Sequence, residues 1–191
     1  MLEDIALQYS ELPENQIRSI SYGLVILGGI LGGLTYRSVA EINRAHYFAL
    51  SSLIFLCVSL VTFSGMAFIV QSLVGGFFWV VVGVEILASV IGAFCLARIA
   101  ADRSRSAYGH GRLAALAFIP LANFWLLLTP SKNELSAGRL PTIPLLTGGI
   151  GVLSGFVFFA TGIGLSAYAQ VDAMRRVEEA AAAGVFNVAM L

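Results

Sequence analysis

The chain has 191 residues, 58% of them hydrophobic and only 12% charged, with eleven basic and eleven acidic side chains and a mean hydropathy of +0.88. A soluble domain carries about 25% charge, so this composition excludes a protein that covers its whole surface with polar groups in water. The formal net charge of zero provides no electrostatic footprint for nucleic acid, and no nucleic-acid partner is expected.

The opening Met-Leu-Glu-Asp lacks the basic stretch of a secretory signal peptide, so the first apolar span is expected to stay in the mature protein. Leu2, Ile5, Tyr9 and Leu12 recur at helical spacing, with Glu3, Asp4 and Glu11 off the stripe. That pattern predicts a short interfacial helix, with a frayed terminus as the alternative. Pro13 is suited to opening the next helix.

Five apolar stretches follow, each near the roughly 20 residues that cross a hydrocarbon core as a helix. Span one covers 19–36, span two 45–70, span three 77–97, span four 113–129 and span five 143–169. A tight turn ending in Gly75-Gly76 joins spans two and three, and polar loops are expected at 98–112 and 130–141. Span four is the shortest and contains Pro120 and Asn123. Span five continues as a polar helix to Ala183, supported by the i, i+4 pair Asp172–Arg176 and stopped at Gly184. The apolar tail 185–191 is expected to pack on a partner or to lead into further chain. The fold expected is an all-α integral membrane protein, a bundle of five transmembrane helices over 19–169. An N-terminal amphipathic segment (1–18) precedes it, and a cytoplasmic helix with an apolar tail (170–191) follows. No internal repeat supports an inverted-repeat transporter.

Orientation follows from Lys and Arg in short loops. With five crossings, one side holds Arg37, Arg44, Arg98, Arg103, Arg105, Arg112, Arg175 and Arg176, and the other Arg18, Lys132 and Arg139. The expected location is a bacterial inner membrane, with the N-terminus outside and the C-terminus cytoplasmic. The bacterial source is read from ten of the eleven basic residues being Arg. Trp79 and Trp125 are expected at the outer ends of their spans. All of this depends on span four crossing: a re-entrant span four would move the C-terminus to the other side.

Lipid supplies no hydrophobic drive between helices, so interfaces favour small residues. Gly28 and Gly32, with Gly29 and Gly33, make a doubled GxxxG in span one, and Gly151 and Gly155 make another in span five. These faces pack either within the bundle or against another subunit. Glu85 lies inside span three, about 13 Å from its outer end, where an ionised acid is costly. Asn123 in span four, Ser89 one turn along, and Ser64 or Thr62 in span two are its candidate hydrogen-bond partners. Glu85 is then a proton or cation site, a structural hydrogen-bonding group, or a contact with a partner subunit or lipid headgroup.

The remaining chemistry is sparse. Cys57 and Cys95 read as small buried hydrophobes, and His46 and His110 as solvated interfacial histidines. No HExxH, P-loop or GxSxG occurs, no metal ligand set is visible, and no cofactor is named by the residues. Arg98, Arg103, Arg105 and Arg112 are expected to contact anionic lipid headgroups. The expected partners are membrane lipids together with other membrane-protein subunits or a second copy of this chain. The function expected is a non-catalytic membrane subunit or assembly factor docking through its glycine faces. The alternative is a small channel or transporter using Glu85.

Overall fold

The computed structural model describes residues 1–10, 12–36, 42–131 and 146–184. Among them no strand occurs. The helices are α1 (Leu2–Ser10), α2 (Glu14–Thr35), α3 (Arg44–Ala67), α4 (Ile69–Gly75), α5 (Phe78–Tyr108), α6 (Pro120–Leu128) and α7 (Gly148–Ala182), with a 3-10 segment at Gly111–Phe118. Four of these, α2, α3, α5 and α7, are long and apolar enough to cross a membrane. At 1.5 Å per residue they run from about 33 Å to about 52 Å.

The four long helices form an open row in the order α7, α3, α5, α2. Close approaches fix their directions. An added Cβ at Gly28 of α2 would lie 2.5 Å from the Val90 carbonyl oxygen of α5, and one at Gly32 would lie 2.5 Å from that of Phe94. Both helices advance together there, so α2 and α5 are parallel. Ala93 and Ala97 present the matching small side chains, and only glycine lets two backbones meet this closely. Against α3, Gly92 of α5 meets Val58 while Glu85 meets Gly65, an antiparallel register. Along α7, Gly151 meets Ala45, Gly155 meets the Phe48 ring and Gly162 meets Phe55 and Ser59, so α7 runs parallel to α3. Ser166 Oγ donates to Ser59 Oγ at 3.0 Å, and Phe48–Phe156, Phe55–Phe159 and Phe63–Tyr168 ring contacts continue the seam.

The row has two chemically distinct ends. At one, Glu3 of α1 accepts from the backbone N–H groups of Phe78 and Trp79 (3.2 and 3.3 Å), capping the first turn of α5. α4 and the last turns of α7 lie there too. The other end holds Arg44, the last turns of α5, the 3-10 segment and α6, and the start of α7. It contains a core cluster of buried residues, built from Ile42, Tyr47, Ala100, Ala117 and Leu126. We call these the α1 end and the arginine end.

Over the stretch expected to make a fifth crossing, the chain folds as a hairpin of a 3-10 segment and a nine-residue helix instead of one long helix. The 3-10 segment starts beside Ala101 and dips until Phe118 touches Gly29 of α2. Ile119 is extended (φ −109°, ψ 111°), and Pro120 opens α6. A proline forces the preceding residue out of helix and removes the N–H a continuous helix would need. α6 is only about 13 Å long, and it returns to the arginine end, where Leu126 and Thr129 meet Arg103. The N-terminal helix and the C-terminal end of α7 therefore share one end of the row, correcting the expectation of opposite sides.

Other sequence readings shift as well. The predicted polar loop 98–112 is largely the last turns of α5, with Ala100 to Ser104, Ser106 and Ala107 buried. The apolar stripe of α1 faces outward at Leu2 and Ile5, while Ala6 is buried. Trp125 stands at the arginine end and Trp79 at the α1 end. His46 is buried rather than solvated, and Cys57 is exposed rather than buried. Pro13 caps α2 (φ −54°), and Gly184 takes the left-handed conformation (φ +70°) after α7 ends. Most of the predicted 130–141 loop, the first residues of span five (143–145) and the apolar tail lie outside the described residues.

Candidate functional site

Glu85 sits in the second turn of α5 and turns towards α3 at Gly65. A Cβ on Gly65 would lie 3.4 Å from Glu85 Oε1 and 3.2 Å from Val81 Cγ1. The carboxyl thus occupies the space a side chain at 65 would fill. Oε1 is buried and, among the described residues, has no hydrogen-bond partner. A buried oxygen without a donor costs roughly 1–3 kcal/mol, so its placement here requires compensation by a proton, an ion or another molecule.

The structure does not bring Glu85 to its expected partners. Asn123 Oδ1 accepts from the Tyr47 hydroxyl at 2.6 Å, in the first turn of α3. From Tyr47 to Gly65, α3 rises about 27 Å, so Asn123 and Glu85 belong to opposite ends. Ser64 Oγ donates to its own helix at Leu60 O (2.8 Å). Ser89 is half-buried on α5, and neither it nor Thr62 hydrogen-bonds Glu85.

Close to Glu85, the α3 helix breaks. A continuous helix would have Phe68 N–H donate to the Ser64 carbonyl. It donates instead to Gly65 O at 3.1 Å, and α4 begins one residue later. The Ser64 carbonyl loses that donor, and the last turn of α3 carries the negative pole of a 24-residue helix.

At the arginine end, Arg103 is fully buried. Its Nε donates to Leu126 O (2.8 Å), Nη1 to Ile42 O (3.3 Å) and Ser131 Oγ (2.8 Å), and Nη2 to Thr129 O. The guanidinium ties the end of α6 to Ile42 in the α2–α3 connection. Arg103 therefore holds the fold together and does not reach headgroups, which corrects that expectation. Arg98 lies over the Tyr36 and Phe94 rings, 4.8 Å from each centroid. Tyr36 donates to Asp102 Oδ2 at 2.9 Å. Burial, then the carboxylate it bonds, pushes the Tyr36 phenol above its usual range, so it keeps the proton it donates. Arg105 and Arg112 are exposed at this end.

The glycine faces are already occupied. Gly28 and Gly32 are closed by α5, Gly29 by Phe118, Gly151 by Leu146 and Ala45, and Gly155 by Phe48; of the six expected docking glycines only Gly33 is open. Sequence reasoning assigned Arg103 to lipid headgroups and missed its buried role because an Ala-rich helical turn read as loop. It missed Gly65 because a lone glycine carries no pattern.

Comparison with known proteins gave no matching family model, no matching curated relative and no matching solved structure. Among the described residues no three His, Cys, Asp or Glu side chains gather as a metal would require.

Proposed function

We propose that this protein is a non-catalytic integral-membrane subunit or assembly factor of a larger complex in a bacterial inner membrane. The observation that carries this reading is the open row. Only 11–17% of each apolar window is buried within the chain. Even α5, with a neighbour on each side, exposes an apolar stripe of Val80, Val84, Leu87 and Ile91. Such a layer is completed by lipid and by other polypeptides, the docking surface being these open faces and not the occupied glycine steps. The excess of arginine places the arginine end in the cytoplasm and the α1 end, with the end of α7, outside. Arg105 and Arg112 meet anionic headgroups there. Gentle extraction followed by native mass spectrometry tests the reading. A particle containing other polypeptides supports it, and a lone monomer with lipid removes it.

A second reading, a small channel or transporter, is favoured by one specific observation: Glu85, half-buried on an apolar helix, has a buried oxygen that finds no donor among the described residues. Intramembrane acids commonly serve proton or cation pathways. Glu85→Gln separates the two readings, because a subunit keeps its partners while a carrier loses flux.

A further inference from the structure

We propose that Glu85 and the broken end of α3 form a binding site for one monovalent alkali cation, reached from the α1 end. The proposal rests on the second reading above and specifies its ligand.

Three observations converge. The first is the carboxyl itself, with a buried oxygen that no described group satisfies. The second is the helix break beside it: Phe68 closes on Gly65 instead of Ser64, so the Ser64 carbonyl lacks its Phe68 donor where the dipole of α3 is negative. Interrupted helices that offer carbonyl oxygens at membrane depth are a recurrent way of holding small cations. The third is Gly65, whose missing side chain leaves the carboxyl its place against α3.

Charge selects the ion. Glu85 is the only acid within residues 15–35, 44–67 and 78–101. One carboxylate balances one positive charge, whereas a divalent ion would bring a second charge into a low-dielectric setting. Hard alkali cations take carboxylate and carbonyl oxygens, the donors this site supplies. Depth selects the route. Glu85 lies about 10 Å along α5 from Phe78, and α4 and Glu3 mark that end.

The test uses the full chain in lipid nanodiscs, with NaCl or KCl replacing an organic-cation chloride at constant ionic strength. Thermal unfolding and hydrogen exchange over 60–90 are read at two pH values. The proposal expects saturable protection of this segment by Na⁺ or K⁺. Glu85→Gln should weaken it by about tenfold or more, and Gly65→Ala, whose Cβ would press on Val81 and the Glu85 carboxyl, should weaken the cation-dependent difference in protection measured against its own cation-free baseline. Three results overturn it. Protection that follows pH alone and vanishes in Glu85→Gln removes the cation while the proton form of the second reading stands. Responses to pH and cation that are unchanged in Glu85→Gln remove both. A cation effect of equal size in wild type and both variants is a bulk salt effect and removes the site.

Discussion

Replacing Arg103 with methionine tests whether span four is a hairpin. Methionine matches the reach of the arginine stem but donates nothing. Four acceptors lose their donor, and they do not lose it equally. Leu126 and Ile42 are buried (0% and 7% exposed), and neither carbonyl has a ready substitute. In a longer α6 the Leu126 carbonyl would accept from residue 130, which is Pro130 and has no N–H. The His46 N–H near Ile42 is already given to Asn43 Oδ1. Thr129 and Ser131 are half-exposed and can turn to water. Two stranded buried carbonyls at about 1–3 kcal/mol each, with the lost charge-assisted character, place the cost at about 3–5 kcal/mol, the range seen when one partner of a buried ionic network is removed. That cost falls on the docking of α6 and not on α7. Hydrogen exchange in nanodiscs should therefore speed up over 120–128 by about 10² to 4 × 10³-fold, at 1.4 kcal/mol per factor of ten, with α7 and α3 little changed. Arg103→Lys should fall between the two, since an ammonium keeps the charge but loses the planar fork. Unchanged protection of 120–128 in Arg103→Met would refute the argument. So would a loss spread evenly over the four long helices.

Three further outcomes follow from the same geometry. With Cys57 and Cys95 replaced, single cysteines at Ser10 and Ala182 should react with an impermeant reagent from one side of the membrane, and those at Gly109 and Ser131 from the other; Ser131 reacting with Ser10, and Ala182 with Gly109, would restore the fifth crossing. Gly28→Ile and Gly32→Ile should each destabilise the protein by about 1–3 kcal/mol through overpacking, because the backbones must part by most of an ångström, whereas Gly33→Ile meets open space and should be neutral; equal unfolding in mixed micelles for all three would contradict the α2–α5 seam. Glu3→Gln removes the charge that caps α5 and should cost about 0.5–2 kcal/mol, read as faster exchange at Phe78 and Trp79; no change there would detach α1 from α5.

How much of this was legible in the residues differs by element. Four long helices, the start at Pro13 and the stop at Gly184 follow from apolar length and from residues with fixed backbone preferences, and such signals are local. The last turns of α5 were hidden because Asp102, Arg103 and Arg105 read as loop. They are helical because the hairpin wraps Ala100, Ala101 and Ala107, a tertiary effect no window of sequence contains. The pairing of Glu85 with Asn123 rested on equal depth in two crossing helices. Once α6 turns back, equal position along the sequence no longer means equal depth, and Asn123 finds Tyr47 instead. Gly65 and the break at Phe68 were invisible for another reason: neither residue forbids a helix, and the break shows only in which carbonyl accepts.

The charge rule explains why composition could not detect the hairpin. With span four crossing, the arginine-rich side gains Arg175 and Arg176 and gives up Lys132 and Arg139. With span four re-entrant, the exchange is reversed, two basic residues for two. Either path leaves the same eight-to-three bias among the eleven basic residues, so the bias orients the N-terminal half and carries no information about the C-terminal half. Hydropathy is equally blind, since 113–129 is apolar on either path. The tie is broken by two residues that a count treats as ordinary. Pro120 divides the stretch into pieces too short to cross, and Pro130 leaves the Leu126 carbonyl in need of a donor that Arg103 supplies. An arginine counted for topology as a free surface charge is, in the folded chain, a buried group that holds the hairpin against the start of α3.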